Sequence, residues 1–237
     1  AADHVVDLRG SLVTPGFVDA HVHSTSTGLT LTGLDLSAAT SLGQALTALE
    51  AHARLRRGGV IIGHGWDDTA WPEQRPPTRS EIDRATWGSV VYLSRRDVHS
   101  AAVSSALVAM VPDVRSLAGY DDVAPLSQAA HHAVRGAALA TITAGERRRA
   151  QRAMRAHAGS LGIVALHEMA GPHVSSQEDL VEILTRSREE PGPLVTGFWG
   201  ELAATGGIER ARAAGAYALG GDLTVDGALG SRTACLR

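Results

Sequence analysis

Pro15-Gly16-Phe17-Val18-Asp19-Ala20-His21-Val22-His23 is the stretch on which the reading of the fold turns. An apolar run leads into two histidines separated by a single residue. In a strand, successive side chains alternate faces, so Asp19, His21 and His23 share one face while Val18, Ala20 and Val22 fill the other. Two imidazoles side by side at a strand's end can bind a divalent metal through neutral ring nitrogens. An ion there acidifies a water or polarises a carbonyl, the core of metal-assisted hydrolysis. The same short pattern also occurs as two polar residues closing a strand, so its surroundings must decide.

Outward from His23, strand and helix patterns alternate. A helix is expected from about Ser41 to Arg57, and a buried strand from Gly59 to His64 around Val60-Ile61-Ile62. A polar, Pro-rich loop runs from Trp66 to Pro77. Thr78 and Glu81 have capping-box spacing and open a short helix. Ser89 to Leu93 reads as a strand, and two or three helices occupy Ser100 to Gly159. Gly162 to His167 is a fourth strand, Leu194 to Phe198 a fifth and Asp222 to Asp226 a sixth. A helix opens near Ser175 and another covers Ile208 to Ala214. Repeated strand-helix units imply parallel strands with helices packed outside.

Composition narrows the class. The chain has 237 residues, 44% hydrophobic but only 4% aromatic, so its core must be built from Ala, Val, Leu and Ile. Net charge is −3 with both signs interspersed, which gives no nucleic-acid footprint. The cluster Glu146-Arg147-Arg148-Arg149 sits in a helical pattern and reads as a solvated face. Cys235 is the single cysteine, so no disulfide framework exists within the chain. No opening stretch reads as a signal peptide and no apolar run is long enough to span a membrane. The expectations are a cytoplasmic protein with no membrane and no nucleic-acid partner. Self-association is left open.

Five segments in one order carry a family resemblance. They are the Pro15–His23 stretch; Gly65-Trp66-Asp67-Asp68 with Trp71-Pro72-Glu73; Pro77-Thr78-Arg79-Ser80-Glu81-Ile82-Asp83; Arg96-Asp97-Val98-His99; and Val225-Asp226-Gly227-Ala228-Leu229-Gly230-Ser231-Arg232-Thr233-Ala234. Together they resemble the amidohydrolase superfamily, in its amidohydrolase-3, YtcJ-like branch, from about Leu12 to the last residue. The resemblance implies an α/β fold, a TIM-type (β/α)8 metal-dependent hydrolase barrel. An open doubly wound sheet would want a glycine-rich phosphate turn after its first strand, and Ser24-Thr25-Ser26-Thr27-Gly28 is not one. A complete barrel takes ~250 residues, and about six strands are legible here. Residues 12–237 are therefore expected to form an incomplete barrel. Residues 1–11 are expected to be the exit from a small β-domain that precedes it, the chain being part of an enzyme of roughly doubled length.

The resemblance also implies the chemistry: attack of a metal-activated water on a carbon–nitrogen bond outside peptides, in an amide or formamide-type small molecule. The cofactor implied is one or two divalent ions, zinc first. His21 and His23 are the leading ligands, with Asp19 placed to orient an imidazole. His167 is a further ligand candidate, against a core histidine. Asp222 stands where many relatives carry a lysine that can be carboxylated to bridge two metals; its own shorter carboxylate favours a one-metal site, against a plain helix-exit role. The resemblance implies an acid/base carboxylate from a late strand beyond those legible here; within this chain Asp226 is the one candidate for that role, against turn-forming chemistry before Gly227. Asp97 and His99, with Trp66, are candidates for substrate contact, against an Arg95–Asp97 ion pair and loop packing. His4, His52, His131, His132, His157 and His173 read as surface or helix residues. A second class stays open: a truncated, non-catalytic member or half of a split protein, acting as a binding module.

Overall fold

A computed structural model describes residues 4–55, 58–172, 174–223 and 235. Its strands and helices build a partial barrel of the TIM type. The parallel sheet that carries the site has the order β1-β7-β8-β9: β1 (Phe17–Val22), β7 (Ile163–Ala170), β8 (Leu194–Trp199) and β9 (Ala218–Leu219). A second sheet has the order β2-β3-β4-β5-β6. Here β2 (Leu34–Asp35), β3 (Ile61–Trp66) and β4 (Val91–Arg95) run parallel, while β5 (Ser100–Val103) and β6 (Leu126–Ser127) return antiparallel.

The helices cover the outer faces. α1 (Ser24–Thr32), α2 (Leu42–Leu55) and α3 (Arg79–Thr86) follow β1, β2 and β3. α4 (Ser105–Ala109) and α5 (Gln128–Ala140) flank the β5–β6 excursion. α6 (Ala144–Ser160), α7 (Gln177–Glu189) and α8 (Gly207–Ala213) pack on the β1-β7-β8-β9 sheet. Val22 and Leu166 meet Met154 and Ala158 of α6, while Ala170 and Trp199 meet Leu180 and Ile183 of α7. Leu49, Ile61, Trp66, Ile82 and Leu93 make a second core under α2 and α3. No helix among the described residues is long and apolar enough to cross a membrane.

Local chemistry explains several boundaries. Thr78 accepts from the Glu81 amide and Glu81 reaches back to Thr78, so α3 opens on the expected capping box. Thr143 and Glu146 do the same for α6. α1 lies close against α6 at Gly28, where a methyl group would land on the Ala150 carbonyl.

Three segments differ from the sequence reading. Ser24–Thr32, where no element is expected, is a helix. The segment after Ser100 begins with a strand, β5, because Ala101, Ala102 and Val103 pair with β4 and are buried on both faces. A short strand, β9, precedes the expected sixth one; Asp222 lies beyond the end of β9, and 224–226 lie outside the described residues. β1 and β9 are the edges of their sheet, and Phe17 (67%) and Leu194 (66%) are exposed at its far end from the site.

Candidate metal centre

β1 delivers His21 and His23 to the C-terminal end of the parallel sheet, where a barrel of this type places its active site. The third member comes from the opposite edge. After β9, Gly220 and Gly221 adopt φ of 153° and 114°, a conformation L-residues avoid, and the chain turns back toward β1. This brings Asp222 between the two imidazoles. Its Oδ1 lies 3.1 Å from His21 Nε2 and its Oδ2 lies 3.0 Å from His23 Nε2. The rings stand edge to face, with centroids 5.2 Å apart.

His23 is held from behind by the Met169 carbonyl of β7, which accepts from Nδ1 at 2.8 Å. A hydrogen bond there aims Nε2 at Asp222 and leaves its lone pair free for a metal when the ring is neutral. One ligand atom from each of His21, His23 and Asp222 lies within 4.8 Å of the others. Two imidazole nitrogens and one carboxylate oxygen form a donor set suited to zinc, with a fourth position left for water or substrate. These residues fit a divalent ion, and the turn at the glycine pair brings the short Asp222 carboxylate within reach of both imidazoles.

The other candidates are distributed around this centre. Asp19 accepts from the His21 amide at 3.1 Å, so it orders the strand backbone instead of an imidazole; a register shift between Asp19 and Val22 breaks the simple alternation. His167 places its ring against Phe198, with centroids 5.3 Å apart, and stands outside the three-ligand cluster. Asp226 lies outside the described residues.

A cavity of about 920 Å³ opens over the centre, with His23, His64, His99, His132, Arg135 and Asp222 on its wall. His99 thus lies on the cavity wall. Asp97 pairs with Arg95 at 3.3 Å and accepts the His99 amide at 3.2 Å, so it shapes the loop that presents His99. Trp66 is 0% exposed, in the core under α2, and its indole N–H donates to the Leu93 carbonyl at 2.8 Å. It packs the end of β3 and is not on the cavity wall.

Three buried groups, Glu168, Asp179 and His131, have no site role in the sequence reading. Glu168 is 4% exposed on the helix side of β7, and burial pushes its carboxyl up to about 7 against the pull of its bonds to Ser24. It lines a smaller cavity of about 300 Å³ together with His23, Thr25, Arg147 and Asp179. Burial also raises the Asp179 carboxyl, opposed by the Thr25 hydroxyl, Arg147 and Gln151. His131 is 2% exposed and bonded to the Tyr92 hydroxyl at 2.8 Å. Its spacing with Val134 and Ala138 on one face of α5 was the available signal.

A family model described as the amidohydrolase family matches residues 4–237. YtcJ of Bacillus subtilis strain 168, named as an amidohydrolase, is 35% identical over 102 residues, which are 43% of this chain and 19% of that protein. An N-substituted formamide deformylase of Arthrobacter pascens is 30% identical over 110 residues, 45% of this chain and 20% of that one. The crystal structure of an uncharacterized metal-dependent hydrolase from Pyrococcus horikoshii OT3 superposes with a TM-score of 0.66 at 19% identity, over 92% of this chain and 44% of that chain. The chain thus spans less than half of the structure it matches, and that likeness speaks for the fold. With the family model matching nearly every residue from His4 onward, this chain belongs to the amidohydrolase family.

Proposed function

We propose that the chain forms part of a metal-dependent hydrolase that cleaves carbon–nitrogen bonds other than peptide bonds, in a small amide or formamide. The observation that carries this reading is the convergence of His21, His23 and Asp222 within 4.8 Å, with His23 and Asp222 on the wall of a cavity large enough for a small molecule. A divalent ion, zinc first by its donor set, supplies an acidified water and polarises the scissile carbonyl when bound.

This chain's own residues prepare the reaction. Met169 fixes the His23 ring through Nδ1. Asp222 offers one oxygen to each histidine, so a single carboxylate sets the spacing of both rings. His99, whose amide is tied to Asp97, faces the cavity and is the side chain proposed to contact substrate. Asp226, four residues after Asp222, is proposed to carry the proton to the leaving amine. The apolar wall formed by Leu29, Ile62, Leu139 and Leu202 suits an uncharged substituent.

The test is metal content per purified chain, followed by incubation with an N-alkylformamide and an N-alkylacetamide while the amine and the acid are quantified. One tightly held ion with release of both products supports the reading. One specific observation favours the second reading, a metal-binding module without turnover. Asp222 already lies within hydrogen-bond distance of both imidazoles, which closes the triad on itself. A stoichiometric metal with no product from either substrate would select that module.

A further inference from the structure

α1 has no N-terminal cap from its own neighbourhood. It starts directly after His23, whose side chain does not cap it, and its first turn holds no acidic residue. Ser24, its first residue, is completely buried, so the amide cannot turn to water. The missing partner arrives from β7. Glu168 accepts the Ser24 N–H on both carboxylate oxygens, at 2.9 and 3.2 Å. The adjacent Met169 carbonyl holds the His23 ring, and the Thr25 hydroxyl donates to Asp179 at 2.7 Å. Three consecutive residues, beginning with a candidate ligand, are therefore gripped from β7 and α7.

We propose that Glu168 is a positioning residue of the metal centre: by holding the Ser24 amide it fixes the start of α1, and with it the direction in which His23 presents Nε2. The inference rests on the metal-centre reading of His21, His23 and Asp222. The mechanical link is short. The His23 carbonyl accepts the Thr27 amide at 2.8 Å, so any shift of the first helical turn moves His23. β7 lies between β1 and β8 and is a rigid base for that grip. A carboxylate at a helix N-terminus also gains from the helix dipole. An alanine at 168 leaves the Ser24 N–H buried without an acceptor, and the turn must shift to find one.

The test uses the whole chain. Zinc affinity is read by competition with a chromophoric chelator, and the geometry of the centre by the visible absorption of the cobalt-loaded protein. Outer partners of metal ligands typically contribute about 10–100-fold in affinity, and Glu168→Ala is expected to lose that much and to shift the cobalt spectrum. Glu168→Gln keeps one acceptor oxygen and is expected to lose about threefold to tenfold, between the native chain and the alanine variant. Leu49→Ala truncates the core under α2 and α3 instead, away from the elements that grip His23, Ser24 and Thr25, and is expected to lower Tm while leaving affinity and spectrum unchanged.

Equal zinc affinity in native and Glu168→Ala protein overturns the proposal, as does an equal loss in Leu49→Ala. If Glu168→Ala does not fold, Glu168→Gln decides: loss of affinity with a shifted spectrum supports the proposal, and native values overturn it. A native chain that takes up no zinc removes the metal-centre reading and this inference with it. Uptake that is indifferent to residue 168 removes the inference alone.

Discussion

His131→Gln tests the electrostatics of the cavity wall most directly. The His131 ring is buried, stacks on Tyr92 at a centroid distance of 6.0 Å and bonds the Tyr92 hydroxyl through Nε2. Burial holds its pKa down at about 3, helped by the positive fields of His132 and Arg135 and opposed by Asp97. In the unfolded chain it returns to about 6.5. The unfolded state therefore binds a proton that the native state refuses, and stability is lost as pH falls from about 6.5 toward about 3. Between about pH 7 and about pH 4 this one group costs about 3 kcal/mol, at about 1.36 kcal/mol for each unit over which only the unfolded state is protonated. Glutamine keeps an amide near the position of Nε2 for the Tyr92 hydroxyl and does not titrate. Urea unfolding at a series of pH values, fitted as two-state, should show the variant losing about 3 kcal/mol less than the native chain on acidification. All other titrating groups are common to both proteins and cancel in the difference. Parallel stability curves, separated by the same amount at every pH, would refute the reasoning.

Glu168 should act in the opposite sense. Its carboxyl sits at about 7 in the fold against an ordinary 4.5, so native stability rises as pH falls from about 7 to about 4.5, and Glu168→Gln should flatten that limb. The expected span is about 3 kcal/mol, read by the same urea series. Replacing His21 and His23 together by Ala should abolish stoichiometric metal uptake in elemental analysis; retained metal would place the site elsewhere. Gly28→Ala should destabilise by about 2 kcal/mol or more, because its methyl meets the Ala150 backbone and must push α1 off α6. The same displacement moves the helix that follows His23, so zinc affinity should fall together with Tm.

Much of the strand-helix order was legible from local patterns. β1, β3, β4, β7 and β8 each carry a run of apolar residues that the sequence reading found, and the Thr78–Glu81 capping box marked α3 to the residue. α1 was missed because Ser24-Thr25-Ser26-Thr27 has weak helix propensity, and its cap is a glutamate 144 residues away. β5 was missed because Ala-rich stretches read as helix, whereas pairing with β4 buried Ala101 and Ala102 in a sheet.

The same division holds for the site. His21 and His23 meet at one strand end because they stand two residues apart where β1 closes, a local property that sequence alone determines even though a register shift interrupts the regular alternation. That Asp222 faces them depends on a turn at Gly220 and Gly221 and on which strands lie between β1 and β9. Trp66 went to the core and His99 to the cavity although both close the ends of neighbouring structural units, because packing against α2 and α3 claimed the indole. Sequence determines which side chains carry donors and on which face of each element they stand. Only the tertiary structure decides which donors meet, since their convergence depends on sheet order, register and burial over separations of more than a hundred residues.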